Sequence, residues 1–235
     1  MRFVLVGISL AVVGLGAQTP AASGPVASFT ATTANVTGAP DSIRIEILRW
    51  STDAERDKLM SAWNTKGQAN GAPAQAPGRA GAPPGRGAGA RGGRGGGRGG
   101  AENAPPPTSE AALAATLQEA ATVGYLWSSE VAGYALRYAG KVAGPDGADR
   151  IILITDRRLG AANDLWKPTG QAVPSTYDFS VIELRVNAKG DGEGRISLTG
   201  KVAPDTAAKI VALEDYATAP VVLSHVKRRA SGGHS

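Results

Sequence analysis

The segment from residue 67 to residue 107 constrains the fold of this chain more than any other feature. Its 41 residues include 14 glycines, 10 alanines, seven prolines and five arginines, but no valine, isoleucine, leucine or aromatic residue. Such a segment cannot bury enough apolar surface to offset the conformational entropy lost on ordering. We therefore predict that 67–107 is a disordered insert within a single folded domain at 26–229, followed by a disordered tail at 230–235.

The N-terminus has the layout of a secretory signal peptide. Arg2 precedes the uncharged, mostly apolar run 3–15, and small residues follow before Pro20. The run is shorter than the roughly 20 residues that a membrane span requires. We predict a signal peptide at 1–17 and a flexible leader at 18–25, with an uncleaved anchor as the alternative. The expected location is periplasmic or secreted, and the chain left after cleavage is not expected to span a membrane.

Hydrophobic periodicity predicts a domain rich in strands. Apolar and polar residues alternate at 43–48 and 134–139, which is typical of half-buried strands, whereas the apolar run 151–154 is typical of a strand covered on both faces. The glycine-rich stretch 189–194 is interpreted as a hairpin connection. Further strands are expected at 26–36, 125–127, 179–186, 195–202, 209–214 and 220–227.

Two helices are expected, one on each side of the insert. Thr52 and Glu55 have the spacing of a capping box and predict a helix over 53–65. Leu113 and Leu117, four residues apart, mark the buried face of a second helix. The expected fold class is α+β, with a mostly antiparallel sheet of about six to eight strands and a helical hairpin packed on one face.

The chain lacks the residue patterns on which most catalytic and metal sites are built. It has no cysteine, which excludes disulfides and thiolate ligands, and its two histidines are His225 and His234. Neither a Gly-x-Ser-x-Gly motif nor a complete phosphate-binding loop occurs. We therefore assign no catalytic residue, metal or cofactor, and favour a binding or interaction protein over an enzyme.

Charged residues near strand ends are the candidates for a binding site. Asp156 and Arg157 follow the most apolar strand and begin a long loop over 156–175. Together with residues of neighbouring strands, the candidate binding set is Arg137, Asp156, Arg157, Glu183 and Arg185. A structural alternative is a cross-strand ion pair on a solvated sheet face, formed by Glu183 with Arg137 or Arg44.

Three functions remain open from the sequence. The leading hypothesis is an exported, non-enzymatic envelope or secreted protein that binds an envelope protein or a small ligand through the sheet and the long loop. The first alternative is an envelope hydrolase that uses Asp156 with Glu183 or Glu46, which requires the two carboxylates to converge in one pocket. The oligomeric state is not predicted.

The second alternative is a contact with an anionic polymer or nucleic acid through the insert. Its candidate residues are Arg86, Arg91, Arg94 and Arg98, within a run that resembles the Arg-Gly-Gly segments of RNA-binding proteins. The run has no aromatic residue to stack on bases, so a solvated loop is favoured and no nucleic-acid partner is expected. Without the insert, Arg2 and the basic residues 227–229, the chain carries 16 basic and 19 acidic side chains.

Several blocks of the ordered sequence resemble one group of proteins. They are Ile45–Arg56, Val123–Tyr125, Tyr134–Ala139, Arg150–Arg157 and Phe179–Val186. Together they resemble an uncharacterised group of small exported bacterial proteins, over most of 41–66 and 108–226. The resemblance implies no activity and no catalytic residue. It also implies a short connection where this chain has its insert.

Overall fold

The computed structural model describes residues 24–69, 107–129, 132–144, 147–161, 165–170 and 174–229. Outside these residues lie the predicted signal peptide, the predicted tail, and residues 70–106 of the predicted insert with its four candidate arginines. The helices are α1 (Asp53–Ala69) and α2 (Ser109–Glu119). The strands are β1 (Ala27–Thr33), β2 (Val36–Thr37), β3 (Ser42–Ile47), β4 (Gly124–Trp127), β5 (Gly133–Ala143), β6 (Asp149–Thr155), β7 (Lys167–Pro168), β8 (Val181–Val186), β9 (Asp191–Ile196), β10 (Val202–Asp205), β11 (Ile210–Leu213) and β12 (Val221–Arg229).

Eight of the strands form a closed antiparallel barrel in the order β1-β12-β9-β8-β6-β5-β4-β3, and β1 also pairs with β3 to close the ring. The predicted α+β fold, a sheet with a helical hairpin on one face, is therefore wrong. Alternation along a strand shows that one face is buried, but it is the same in an open sheet and in a barrel. Closure is decided by the pairing of the two outermost strands, which leaves the ring without a free edge.

Side chains fill the interior of the barrel. Every strand of the ring contributes to one buried cluster, and its largest members include Phe29, Ile43, Ile45, Ile47, Leu126, Leu136, Ile151, Leu153, Ile182, Leu184, Ile196, Leu223 and Val226. An eight-stranded barrel has an interior just wide enough for side chains to occupy. Any ligand site of the described residues must therefore lie on the outer surface or at an end of the barrel.

A second buried cluster lies outside the barrel, against β6 and β8. Ile152 and Ile154 of β6 pack there with α1, α2 and the hairpin formed by β10 and β11. This confirms that β6 is covered on both faces, since Ile151 and Leu153 belong to the interior cluster. Residues 152–154 lack alternation because each side of the strand contacts a different apolar layer.

Both predicted helix starts are confirmed. The Thr52 amide donates to Glu55 Oε2 at 2.8 Å, and the Glu55 amide donates to Thr52 Oγ1 at 3.2 Å, so the capping box is formed. Thr108 caps α2 by accepting from the Ala111 amide at 3.2 Å. α1 runs to Ala69 rather than 65, so the first residues of the predicted insert are helical.

Within the described parts of the chain, no helix is long and apolar enough to cross a membrane.

A bulge in β5 reverses which residues face the interior. The register with β6 shifts between Leu136 and Tyr138. Leu136 therefore packs inside the barrel, whereas Tyr138 packs in the outer cluster and Ala139 returns to the interior. Strict alternation would place Leu136 and Tyr138 on the same face, but the extra residue of a bulge changes the phase of the strand after it.

The predicted hairpin over 189–194 is misplaced. The connection between β8 and β9 is a tight turn with Gly190 at φ 88°, and Gly192 and Gly194 already belong to β9. A Cβ atom at Gly192 would lie 1.9 Å from the Arg185 carbonyl oxygen, and one at Gly194 would lie 2.6 Å from Leu184 Cδ2. These glycines are needed for close packing of strands, which has the same sequence signature as a flexible turn.

Candidate functional site

Asp156 and Arg157 lie at one end of the barrel, directly after β6. Arg157 Nη2 donates to the Gly133 carbonyl at 2.8 Å, and its guanidinium carbon lies 4.8 Å from the centre of the Tyr134 ring. Arg157 Nη1 also lies 3.1 Å from Asp156 Oδ2. Half of the Arg157 side chain remains exposed. The predicted loop-end residues therefore form a cation–π and ion-pair unit that a ligand can reach.

This unit forms one wall of a cleft at the end of the barrel, which we call the end cleft. The end cleft has a volume of about 530 Å³ and is lined by residues 38–40, 128–129, 132–134, Arg157 and residues 165–166. Trp166 is buried, and its φ of 60° lies in the left-handed region. Leu165 is 39% exposed at the rim of the cleft. The loop passes close to Gly160, where a Cβ atom would lie 1.8 Å from the Leu165 carbonyl oxygen. Tight packing therefore holds this wall in place.

A second depression adjoins the end cleft on the outer face of the barrel, and we call it the Trp127 groove. It has a volume of about 470 Å³ and shares Pro40, Ser128 and Ser129 with the end cleft. Trp127 and Arg44 are direct cross-strand partners, and the Arg44 guanidinium carbon lies 5.7 Å from the centre of the indole ring. The two depressions form a continuous surface with Trp127 on one side and Tyr134 on the other.

Neighbouring side chains fix the orientation of the Trp127 ring. Its Nε1 donates to Glu46 Oε2 at 2.9 Å, and Glu46 also lies 3.1 Å from Arg44. The Tyr125 ring centre lies 5.2 Å away. On the other side the ring packs over Gly133, where a Cβ atom would lie 2.9 Å from Trp127 Cε3. The indole is thus held in one position while it stays only half-buried.

Glu183 and Arg185 do not line either depression and have a structural role. Glu183 is fully buried and accepts from Arg150 Nε and Nη2 at 2.8 and 2.9 Å. Arg150 also donates to Asp205 at 2.7 Å. The ion pair predicted for Glu183 exists, but its partner is Arg150, a diagonal neighbour on β6, and not Arg137 or Arg44. The face is covered by the β10–β11 hairpin rather than solvated.

The surrounding charges stabilise this buried network. Burial lowers the pKa of Arg150, but its bonds to Glu183 and Asp205 outweigh that effect and hold the pKa above its usual value. Arg185 and Arg195 both lie over the Tyr216 ring, with guanidinium carbons 3.7 and 4.4 Å from its centre. Burial raises the pKa of Tyr216 to about 12. These contacts attach the segment after β11 to the barrel wall.

Arg137 also has a local structural role. Its Nη1 donates to the Ala120 carbonyl at 2.7 Å and to Thr122 Oγ1 at 3.1 Å. The guanidinium therefore satisfies a carbonyl directly after α2, where helices lack internal partners. Of the five residues in the predicted binding set, Arg157 lines the end cleft and Asp156 is paired with it, whereas the other three line neither depression.

The carboxylates proposed for a hydrolase do not converge. Glu46 lies on β3 and Glu183 on β8, which are four strands apart in either direction around the ring of eight. Both side chains point outward, so they face away from each other on opposite sides of the barrel. Asp156 lies four residues beyond Ile152, the cross-strand partner of Glu183, which is about 13 Å along the strand. Among the described residues, no group of three acidic or histidine side chains is placed to hold a metal ion.

Sequence reasoning missed Trp127, Tyr134 and Arg44 as parts of one surface. An outward-facing signal was present, because Tyr125 and Trp127 flank the inward-facing Leu126 in β4. The position of Pro40 and the loop at 165–166 beside them follows only from the tertiary fold.

Comparison of the chain with protein-family models, with curated proteins and with solved structures finds no match. The resemblance to a group of small exported bacterial proteins stays a prediction.

Proposed function

We propose that this protein is an exported, non-catalytic binding module that holds a glycan on the surface formed by the Trp127 groove and the end cleft. The observation that carries the proposal is the pair of half-buried aromatic rings, Trp127 and Tyr134, each beside an arginine, on two adjoining depressions. The long-loop end at Arg157, which the sequence indicated, forms part of this surface.

The chemistry of the surface matches a ligand rich in hydroxyl groups. A sugar ring has an apolar C–H face, which an aromatic ring contacts, and a rim of hydroxyls that both donate and accept hydrogen bonds. Ser42, Ser128 and Thr30 supply hydroxyls around Trp127. Pockets that combine aromatic walls with a few polar groups are typical of small-ligand sites. Some small, partly open barrels of a different fold bind oligosaccharides on one face of their strands.

The charges of the surface favour a neutral ligand over a strongly charged one. Arg44 lies 3.1 Å from Glu46, and Arg157 lies 3.1 Å from Asp156, so each guanidinium has a carboxylate beside it. Such pairs present donors and acceptors together without a large net charge. Because a polyanion needs an excess of cationic groups, this surface is better suited to a neutral glycan.

The separation of Glu46, Glu183 and Asp156 supports a binding role rather than hydrolysis, because acid–base cleavage of a glycosidic bond needs two carboxylates within about 5–10 Å. The predicted signal peptide supports a location outside the cytoplasm, where structural glycans of the cell envelope are available. The alternative contact with an anionic polymer depends on arginines at 86–98, which lie outside the described residues.

Affinity electrophoresis of the full chain through gels that contain soluble glycans tests this proposal. Purified peptidoglycan in a pull-down provides the insoluble arm. We expect retardation by at least one glycan, and Trp127→Ala should weaken it by about tenfold, because a stacked aromatic ring and its buried area are lost.

The matched charge variants are Arg44→Gln, on the proposed surface, and Lys189→Gln, in the exposed β8–β9 turn at the opposite end of the barrel. Arg44→Gln should weaken retardation and Lys189→Gln should not. Equal mobility of wild type and Trp127→Ala in every glycan, with both proteins folded, would contradict the proposal.

A further inference from the structure

A separate cavity lies beside the start of α1, and we call it the α1 groove. Its volume is about 600 Å³, within the range of roughly 300–1,000 Å³ that is typical of ligand pockets. One wall is the β3–α1 connection with Trp50, a second is β5 from Tyr138 to Ala143, and the third is the tip of the β10–β11 hairpin at 207–210. It adjoins the opposite end of β3 from the Trp127 groove.

Tyr138 supplies an unused hydrogen-bond donor to this groove. The residue is only 5% exposed, and its hydroxyl has no hydrogen-bond partner among the described residues. The β5 bulge turns the ring outward, and the hydroxyl occupies the space over Gly140, where a Cβ atom would lie 2.3 Å from the oxygen. Burial raises the pKa of the phenol, so the hydroxyl keeps its proton. The hydroxyl oxygen is not among the fully buried unpaired polar atoms of the described residues, so it is open to the groove, where a bound molecule can accept its hydrogen bond.

The cations of the groove differ in how far they are already paired. Arg56 lies 2.7 Å from Asp53 and 2.9 Å from Asp57, and Lys141 lies 3.0 Å from Asp149. Lys209 lines the same groove without an ion-pair partner among the described residues.

Lys209 also holds a backbone conformation that glycine would adopt more easily. Its φ is 53°, in the left-handed region, which is unfavourable for a residue with a Cβ atom. Strain at a non-glycine residue is a reason to look for a function of its side chain. The hairpin tip thus places an unpaired ammonium group at the rim of the groove.

We propose that the α1 groove binds a small organic anion with an apolar body. Its oxyanion head accepts a hydrogen bond from the Tyr138 hydroxyl and lies against the Lys209 ammonium group. Its apolar body contacts the half-buried Trp50 and Val142. This site shares no lining residue with the end cleft or the Trp127 groove, so it does not depend on the proposed function.

Calorimetric titration of the full chain tests the site, with benzoate and phenyl phosphate as anionic probes and benzamide as the neutral analogue of benzoate. We expect at least one anion to bind with a Kd of about 1 mM or tighter, and benzamide to bind at least about tenfold more weakly. The two anions separate a carboxylate site from a phosphate site, and binding of either supports the proposal. No binding of either anion up to about 10 mM would overturn it.

Two variants locate the binding. Tyr138→Phe should weaken the anion about tenfold while leaving the melting temperature unchanged or higher, since the removed hydroxyl has no partner in the protein. Lys209→Gln should weaken it about twofold to fivefold at low salt, whereas Lys201→Gln, at the other end of the same hairpin, should have no effect. Unchanged affinity in Tyr138→Phe, or equal losses in the two lysine variants, would overturn the proposal.

Discussion

Glu183→Gln tests whether the buried network holds the β10–β11 hairpin against the barrel. Glu183 is fully buried and makes two bonds to Arg150, at 2.8 and 2.9 Å. The amide keeps the shape of the side chain, but it removes the negative charge and turns one acceptor into a donor that faces a guanidinium. Arg150 then keeps only the carboxylate of Asp205, and Arg185 loses the carboxylate 3.3 Å away, so the network gains an unbalanced positive charge.

The structure sets the expected loss of stability. Removal of one partner of a buried ion pair costs about 3–5 kcal/mol. Arg150 keeps its bond to Asp205 at 2.7 Å, and its side chain is 18% exposed to water, so the lower end of that range applies. We expect a loss of about 3 kcal/mol, a large part of the roughly 5–15 kcal/mol by which a domain is stable.

Chemical denaturation measures this loss as a shift in midpoint with an unchanged m-value. Glu119→Gln is the matched control, because Glu119 is 75% exposed and lies 3.7 Å from Lys58; its loss should be under about 1 kcal/mol. Arg150→Met and the double variant complete a thermodynamic cycle, and we expect a coupling of at least about 1.5 kcal/mol. A loss below about 1 kcal/mol for Glu183→Gln, or additive single effects, would show that this reasoning about the network is wrong.

Two further predictions concern the barrel wall and the capping box. Gly192→Ala should lower the free energy of unfolding by about 2–3 kcal/mol, because the new Cβ atom would lie 1.9 Å from a backbone oxygen that cannot move freely. Gly24→Ala, with open space around it, should change the stability little. Equal effects of the two substitutions in chemical denaturation would contradict this prediction. The Arg49 guanidinium and the Thr52 amide lower the pKa of Glu55 from 4.5 to about 2, so the stabilisation by this carboxylate is complete above about pH 4.5 and is lost as the pH falls toward 2. Glu55→Gln should therefore cost roughly 1 kcal/mol at pH 7, with the partly exposed position taken into account, and nothing near pH 2; a constant difference between the two proteins across this range would argue against it.

The candidate site was only partly accessible from the sequence. Asp156 and Arg157 stand out in the sequence because they follow the most apolar strand, and the fold places Arg157 in the end cleft. Trp127 and Arg44 are separated by 83 positions in the chain and became neighbours only through the pairing of β3 with β4. The sequence around Glu183 has the alternation expected of an acidic residue on a solvent-exposed strand face. In the structure the β10–β11 hairpin covers this residue.

Local physical chemistry allowed the sequence by itself to determine the helix starts and most strands of this protein. The capping box at Thr52 and Glu55 is a short-range hydrogen-bond pattern, and the apolar run in β6 reports burial on both faces wherever the strand lies. Only the tertiary structure decided closure of the barrel, the change of phase at Tyr138 and the use of Gly192 and Gly194 inside a strand. Each of these depends on contacts between residues far apart in the chain, and side-chain alternation contains no information on which strand lies next to which.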